Sequence, residues 1–420
     1  MGFLSLRPSR MYGTLLLCTV FLMSGCLHSG KGSPVRGDED GSRGGENDLF
    51  LEAKELLLLN PAEELLISSR ILPWYGGKRA ACSLTFDDGT LDQYLVAFPL
   101  MKEKGYRGTF YILTGLRDEG VWQDGKTPRR LFSWKAAGEL AAAGNEIGSH
   151  GVSHRDLRAL FRSGRKEEAV WELEQSAGDI ISRLEESLLP AGGVLTFSWP
   201  FWRSTPELEG IASEFYLGAR TGGGSMDRYF SANGGFPVGY SQNLFNINSY
   251  GVRSRDRSED ISAFLWSVYS SGSWALLNFH GVDDGREGGG EGWDAIKAGQ
   301  FEEILSLIRR DGFWIAPVGE ILRYREERRR AVLRVERGSA AGVLLSCEDG
   351  LNDGVYNMPI TVDIRIGTGS PVREVLREVS PAEESKVPFM QLQDGWYRMN
   401  LIPDGRLYAL VTRPDKLAAK

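Results

Sequence analysis

An apolar run suited to a buried strand ends in two adjacent carboxylates, Asp87 and Asp88, within the stretch AACSLTFDDG. Aspartate and glycine are ordinary turn residues, so the simplest interpretation is a strand that stops at an acidic turn. The chemical alternative is that one carboxylate binds a metal ion while its neighbour acts as a base. The rest of the chain decides between these two interpretations.

The chain has only four histidines, and three of them follow predicted strands. His150 and His154 lie in the stretch GSHGVSH, where a spacing of four residues brings two imidazoles to one side of a single turn. Two histidines and a carboxylate are an accepted ligand set for a catalytic divalent ion. His280 ends the apolar run WALLNFH. A single histidine is more often a surface or core residue than a metal ligand. All three histidines, however, follow predicted strand ends, as the Asp pair also does, and this shared placement predicts a metal site.

Strand-like and helix-like runs alternate between residues 80 and 317. The predicted strands are 80–86, 107–113, 146–149, 194–198, 216–219, 244–247, 274–279 and 313–317. The predicted helices are 91–104, 133–143, 166–188, 206–214, 258–270 and 298–310. This alternation predicts parallel strands covered by helices, as an open sheet or a barrel. In such folds the chemistry lies at the C-terminal ends of the strands, where the Asp pair and the histidines also lie.

Three motifs follow one another along the chain: TFDDG, then H-x-x-x-H, then a strand that ends in histidine. This series resembles the NodB-type polysaccharide deacetylases, which are carbohydrate esterase family 4. The resemblance covers roughly residues 73–328. It implies an α/β fold, a distorted and incomplete (β/α) barrel, which agrees with the alternation of strands and helices. It also implies a hydrolase that removes acetyl groups from an acetylated polysaccharide.

The resemblance further assigns roles to individual residues. Asp88, His150 and His154 would hold a divalent metal, and zinc is expected from its ligand preference and availability. Asp87 would be the general base and His280 the general acid. These roles suit the reaction, because hydrolysis needs an activated water and a proton for the departing amine or alkoxide. N-acetyl groups are expected over O-acetyl groups, and the particular polysaccharide stays open.

The third and fifth motifs of the family are looser in this chain. By analogy the backbone N–H of Phe201 would hold the oxyanion, and Trp199 would either stack on a sugar ring or pack in the core. Relatives carry an arginine before the proline of the third motif, and this arginine orients the base. This chain lacks an arginine at that position, so Arg203 or Arg220 would orient the base instead. Asn278 stands where relatives usually have the leucine that lines the acetyl pocket.

The first 48 residues differ in composition from the rest of the chain. Residues 1–26 combine a basic start with an apolar run too short to span a bilayer comfortably, which is typical of an export signal. This run ends in LMSGC, which resembles a lipoprotein lipobox with Cys26 as the lipidated residue; an ordinary cleaved signal is the alternative. Residues 27–48 are rich in glycine and charge and are expected to form a flexible tether. We therefore expect an exported protein in the cell envelope, held to a bacterial membrane by a lipid.

Two predicted domains follow the tether. Residues 49–330 would form the catalytic domain, and residues 331–420 contain short strand-like runs that predict a small β-sandwich. Carbohydrate binding and packing support for the barrel are both open roles for the second domain. The net charge of -7, with the acidic residues scattered, argues against nucleic acid as a partner. The oligomeric state stays open.

Two other functions compete with deacetylation. One is a glycan-binding lipoprotein whose barrel has lost activity. The intact set of aspartates and histidines argues against it, since a binding protein has no use for a base beside a metal. The other is a barrel-fold amidohydrolase that acts on a non-sugar amide. Acetate release from acetylated glycans would discriminate among the three.

Overall fold

The computed structural model describes residues 67–116, 120–125, 127–190, 193–222, 243–339, 342–366, 371–380 and 383–412. The predicted export signal, Cys26 and the tether lie outside these residues. The strands are β1 Ile67–Ile71, β2 Ala81–Phe86, β3 Thr109–Ile112, β4 Val121–Asp124, β5 Thr127–Arg130, β6 Glu146–Ser149, β7 Thr196–Ser198, β8 Gly218–Arg220, β9 Tyr250–Gly251, β10 Trp274–Phe279, β11 Val282–Asp283, β12 Ile296–Lys297, β13 Trp314–Ile315, β14 Val332–Ser339, β15 Gly342–Glu348, β16 Ile360–Ile366, β17 Val372–Ser380, β18 Glu383–Lys386, β19 Phe389–Gln391, β20 Trp396–Leu401 and β21 Asp404–Thr412. The α-helices are α1 Phe98–Glu103, α2 Trp134–Ala142, α3 Leu157–Arg162, α4 Lys166–Arg183, α5 Pro206–Ala212, α6 Ser258–Ser271, α7 Ala298–Asp311 and α8 Val318–Arg330.

A parallel sheet with the order β8-β7-β6-β3-β2-β10-β9 forms the centre of the barrel domain. β2 and β10 pair along their whole length and are buried on both faces, as their continuous apolar runs require. Along one edge of β2, the first residues pair with β13 and the last residues pair with β3. The sheet therefore divides into two branches at this edge. At its other end, Ile247 bridges to Arg220 of β8 shortly before β9. The sheet is therefore curled, and the predicted distorted, incomplete (β/α) barrel is confirmed.

Helices cover the outside of the sheet, and α4 illustrates how sequence spacing achieves this. Its buried residues Ala169, Leu173, Ala177 and Ile180 recur every three or four positions, which forms one apolar face. Glu172 lies on the same buried side of the helix. Because the strands are parallel, their C-terminal ends meet on one rim, where the predicted site residues lie. Within the described residues, no helix combines the length and apolar character needed to cross a bilayer.

Two antiparallel sheets form the C-terminal part of the chain, with the orders β1-β16-β20-β19 and β14-β15-β21-β17-β18. The sandwich predicted from residue 331 onward is thus completed by β1, which precedes the barrel in sequence. Ile67 to Ile71 of β1 pair in antiparallel register with Ile366 to Val362 of β16. Residues 67–71 were predicted to belong to the catalytic domain, because a pairing across nearly 300 positions leaves no local pattern.

The sandwich packs directly on helix α8 of the barrel. The hydroxyl of Tyr324 donates to the carbonyl of Leu72 at 3.0 Å and accepts from the N–H of Thr361 at 3.4 Å. The side chain of Tyr324 is completely buried. Apolar residues of both parts also belong to one continuous core. The C-terminal part therefore packs against the barrel, and both support of the barrel and glycan binding stay predictions for it.

We predict that Asp363→Asn lowers the free energy of unfolding by about 2 kcal/mol at pH 7, because it weakens charge-assisted hydrogen bonds. The Asp363 carboxylate is fully buried and accepts two hydrogen bonds each from Arg70 and Arg398. Burial alone would raise the pKa of Asp363, but the two guanidinium groups outweigh it and lower the pKa. This stabilisation is therefore present above the unfolded-state pKa near ~3.9 and is lost as pH falls through the folded-state value.

Urea unfolding at pH 7 and at pH 3 measures this effect. The wild type should lose more stability between these pH values than the Asp363→Asn variant does. Glu348→Gln is the matched control, since Glu348 forms an exposed pair with Arg334 in the other sheet and should change stability by less than about 0.5 kcal/mol. If the free energy of unfolding changes equally between pH 7 and pH 3 in the wild type and in Asp363→Asn, the prediction is contradicted.

Candidate metal and catalytic site

Asp88, His150 and His154 come together on the C-terminal rim of the barrel. Their possible ligand atoms all lie within 4.8 Å of one another, and Oδ1 of Asp88 is 3.4 Å and 3.6 Å from Nε2 of His150 and His154. Nδ1 of His150 lies 2.7 Å from the carbonyl oxygen of Ser198. Because a carbonyl can only accept, Nδ1 carries the proton and Nε2 presents its lone pair to the cavity. This donor set fits a zinc-type divalent ion with open positions for water and substrate.

Four residues that line this site adopt left-handed backbone conformations. The φ angles are 73° at Asp88, 57° at His154, 57° at Phe201 and 58° at Trp202. Such conformations cost a non-glycine residue about 1–3 kcal/mol and persist only where the surroundings impose them. Their concentration around one cavity is typical of a functional site.

Asp87, next to the metal ligand, is held by donors from three strands. Its Oδ1 accepts from Nη2 of Arg220 at the end of β8 and, at 3.2 Å, from the hydroxyl of Ser198 in β7. Its Oδ2 accepts from Nδ2 of Asn278 in β10, also at 3.2 Å. All four side chains are buried. A carboxylate with this many donors is fixed in orientation and favoured in its ionised form.

The charges of the site determine its protonation. Burial alone would raise the pKa of Asp87, but the charge of the Arg220 guanidinium and the hydrogen bond that it donates outweigh burial and lower the pKa. Burial lowers the pKa of His154 to about 4, so this side chain is neutral and able to act as a ligand. Burial also lowers the pKa of His280, against the opposing charges of the two aspartates. At neutral pH the site therefore holds an ionised Asp87 beside a neutral His280.

His280 and Asp87 face each other, with 3.9 Å between Nε2 and Oδ2. Gln93, in a π-helical turn that precedes α1, donates from Nε2 to the backbone carbonyls of both residues. Asp92 accepts from the backbone N–H of Gly292, which packs against the backbone of His280. A Cβ at position 292 would lie 1.8 Å from the His280 carbonyl oxygen, so only glycine fits there. The base and the histidine are thus fixed to the same short turn.

The loop that carries the two histidine ligands is clamped by Glu172 from helix α4. Its Oε2 accepts from the N–H groups of Val152 at 2.7 Å and Ser153 at 3.0 Å. Its Oε1 accepts from the hydroxyl of Ser153. Glu172 is 1% exposed, so the clamp is shielded from water. The carboxylate fixes the turn between His150 and His154 without touching either imidazole.

We predict that Glu172→Gln weakens metal affinity by about 10-fold or more, because partners that orient metal ligands typically contribute 10–100-fold. Each carboxylate oxygen of Glu172 accepts a hydrogen bond. In the glutamine variant the side-chain NH₂ group would replace one of these oxygens and would face the N–H of Val152 or the hydroxyl of Ser153, which are themselves donors. Zinc titration against a competing chelator measures the change. Glu174→Gln, at an exposed position on the same helix, is the control. Unchanged affinity in folded Glu172→Gln would refute the clamp.

Aromatic side chains wall the cavity above the metal ligands. Trp122, Phe201, Trp202 and Trp293 line it together with Asp87, Asp88 and the three histidines. Phe201 is 51% exposed and Trp293 is 40% exposed. Large apolar rings left open to solvent beside a polar site are suited to stacking on sugar rings.

The remaining predicted site residues have different positions. Arg220, not Arg203, contacts the base; Arg203 instead pairs with Asp156 on the surface at 2.7 Å. Trp199 is completely buried and donates from Nε1 to the carbonyl of Phe245. Its ring is therefore part of the core, which is the second of the two positions considered for it in the sequence.

Phe201 lies in the turn Pro200–Trp202 that ends β7. The hydrogen bonds of this turn are donated by Trp202 and Arg203, so the Phe201 N–H takes no part in them. The Phe201 ring lies 4.6 Å from that of His154. The turn thus brings the Phe201 ring against the metal ligand His154, and the role of its N–H as an oxyanion donor stays a prediction.

Several functional residues were missed in the sequence. The β4–β5 hairpin carries Trp122, and the Asp-Gly pair within VWQDGKTPRR is a hairpin signal that would have located it. Trp293 follows the glycine-rich loop 283–292 and gave no signal of its own. Glu172 and Gln93 also gave none, because a buried polar residue that supports a site has no fixed spacing from it.

The curled parallel sheet, the Asp-His-His donor set and the buried base have the arrangement expected of a (β/α)-barrel hydrolase. Residues 76–189, which contain TFDDG and HGVSH, match the family model described as polysaccharide deacetylase, and they make up about a quarter of the chain. The resemblance noted in the sequence is confirmed at this level.

Known relatives cover the chain in different proportions. A curated gellan lyase from Bacillus sp is 23% identical over 366 residues, which are 82% of this chain but only 13% of that protein. The Streptococcus pyogenes deacetylase PplD in complex with acetate is 23% identical and has a TM-score of 0.30, covering 40% of this chain and 63% of that one. A family 4 carbohydrate esterase from Streptomyces lividans is 13% identical and has a TM-score of 0.35, covering 56% and 92%.

Proposed function

We propose that the protein is a metal-dependent deacetylase that removes N-acetyl groups from a polysaccharide. One observation carries the proposal: the ionised base Asp87, bound by Arg220, is adjacent in the chain to the metal ligand Asp88 and faces His280. A glycan-binding protein would gain nothing from a buried carboxylate of this kind, which is costly to desolvate. The family match to residues 76–189 supports the same reaction class.

The chemistry requires one proton to move through the site. A divalent ion held by Asp88, His150 and His154, with zinc expected, would lower the pKa of bound water to about 7 and polarise the acetyl carbonyl. Asp87 takes the proton of the attacking water while the Phe201 N–H faces the oxyanion.

His280 then protonates the leaving group. The proton passes from Asp87 to His280, whose Nε2 is 3.9 Å away, and on to the nitrogen as the carbon–nitrogen bond breaks. This route agrees with the lowered pKa of His280, because the imidazole receives its proton during the reaction and does not need to hold it beforehand. An amine leaves poorly without a proton, so this placement favours N-acetyl over O-acetyl substrates.

The aromatic walls suit a carbohydrate chain. Phe201 and Trp293 expose ring surface in the cavity that contains the donor set, where sugar units that flank the acetylated one could stack. We infer an acetylated polysaccharide as the substrate. Export and a lipid anchor at Cys26 are proposed on the lipobox resemblance alone, and mass spectrometry of the mature N-terminus tests them; an unmodified start beyond Cys26 would exclude the anchor.

Acetate release from a panel of N- and O-acetylated glycans tests the proposed function. The full chain is assayed with added zinc, after chelation, and after chelation followed by zinc. We expect acetate from an N-acetylated polymer, lost on chelation and restored by zinc. No acetate from any polymer, from a folded chain that holds its metal, would overturn the proposal.

A further inference from the structure

Glu327 is an unexplained buried carboxylate far from the rim of the barrel. It lies on α8, and its side chain is completely buried where the helix meets the β15–β16 connection. Oε1 accepts from the N–H of Met358 in that connection at 2.7 Å. Oε2 is buried and has no hydrogen-bond partner among the described residues. A buried anionic oxygen in this state is strongly unfavourable unless a cation or a proton compensates it.

A second carboxylate of the same connection has the same deficiency. Asp349 follows β15, and its Oδ1 accepts from the N–H of Leu351 at 2.8 Å. Its Oδ2 is buried and, within the described part of the chain, also lacks a partner. Burial and the negative charges of Asp349 and Asp353 raise the pKa of Glu327 to about 8, and the opposing charge of Arg323 does not restore the ordinary value. Two unsatisfied carboxylate oxygens thus share one negative environment.

The connection itself supplies further oxygen atoms. It runs from Asp349 to Met358 and turns sharply at Asn352, whose Oδ1 accepts from Gly354 and whose carbonyl accepts from Val355 and Tyr356. Carboxylate and carbonyl oxygens are the ligands that calcium prefers, whereas the imidazole-rich set on the barrel rim suits zinc. The two places therefore differ in the class of metal they favour.

We propose that Glu327 and Asp349 bind a calcium ion at the junction of the barrel and the sandwich. Backbone carbonyls of the 349–358 connection and water complete its coordination. The ion joins the connection to α8 one turn from Tyr324, whose hydroxyl already bonds both to Leu72 and to Thr361 of the sandwich. Calcium thereby stabilises the packing of the two parts and takes no part in the reaction.

Calcium binding to the full, zinc-loaded chain tests this proposal by equilibrium dialysis and thermal unfolding. We expect one calcium ion per chain, with a dissociation constant on the order of 10⁻⁴–10⁻³ M or lower, and a higher Tm with calcium. Glu327→Gln and Asp349→Asn should each weaken calcium binding by about 10-fold or more and remove the Tm shift. Magnesium serves as the comparison ion and should bind more weakly.

Controls separate this site from the barrel rim and from a purely structural role. Glu326→Gln, next to Glu327 but paired with Arg329 and Arg330 on the surface, should bind calcium as the wild type does. Asp88→Asn should lose zinc and keep calcium. Glu327→Gln retains the acceptor for Met358, so it should fold. No calcium binding at millimolar concentration, or binding unchanged in both junction variants, would overturn the proposal and leave Glu327 as a protonated core residue.

Discussion

Asp87→Asn is expected to lower kcat for acetate release by about 10²–10⁴-fold while the bound metal per chain stays unchanged, because the amide keeps the shape of the side chain and cannot take a proton. Asp87 is outside the donor set of Asp88, His150 and His154, so its loss should spare the metal. Steady-state kinetics on the active glycan, together with metal analysis of the same sample, measure both effects.

Asp88→Asn is the matched comparison for this experiment. It makes the same chemical change one residue along the chain, but it removes the carboxylate ligand, so both metal content and activity should fall. The two neighbouring aspartates would then be separated into a base and a ligand by one measurement. Loss of metal from Asp87→Asn, or a near wild-type rate in that variant, would contradict the assigned roles.

Two strands of the barrel were predictable to the residue. β6 at Glu146–Ser149 and β10 at Trp274–Phe279 have the predicted bounds, because glycine and polar residues limit both runs. The predicted strand 244–247 is only a single bridge at Ile247, although its apolar content suggested more. Helix α4 ends at Arg183, since Leu184 adopts an extended conformation before a short 3₁₀ turn. The apolar pattern of residues 166–188 does not show where the backbone leaves the helical conformation, so the end of this helix was not predictable.

The site shows the same division between local and tertiary information. The metal donor set and the base were readable because each residue follows a strand and belongs to a short motif. The choice between Arg203 and Arg220 was not readable, since it depends on β8 lying next to β7 in the sheet. Glu172 is 20 positions from the loop it clamps. Its role follows only from the packing of α4 against β6.

Arg220→Met is expected to destabilise the protein by about 3–5 kcal/mol, because it leaves the buried carboxylate of Asp87 without its cation. Arg220 is completely buried and also donates to Ser249 and to the carbonyl of Thr221. The change should also abolish most activity, since an uncompensated Asp87 in this environment is driven toward its protonated form and no longer acts as a base. Urea unfolding and acetate release measure the two effects.

The double variant Asp87→Asn/Arg220→Met distinguishes electrostatic pairing from simple packing. Because both buried charges are removed together, it should recover most of the stability lost in Arg220→Met while remaining inactive. Arg203→Met, which breaks only the surface pair with Asp156, should change neither stability nor rate by more than about 0.5 kcal/mol. If the double variant is as unstable as Arg220→Met alone, the arginine acts mainly by filling space. If it is stable and inactive, the buried pair serves the reaction and the fold tolerates its removal.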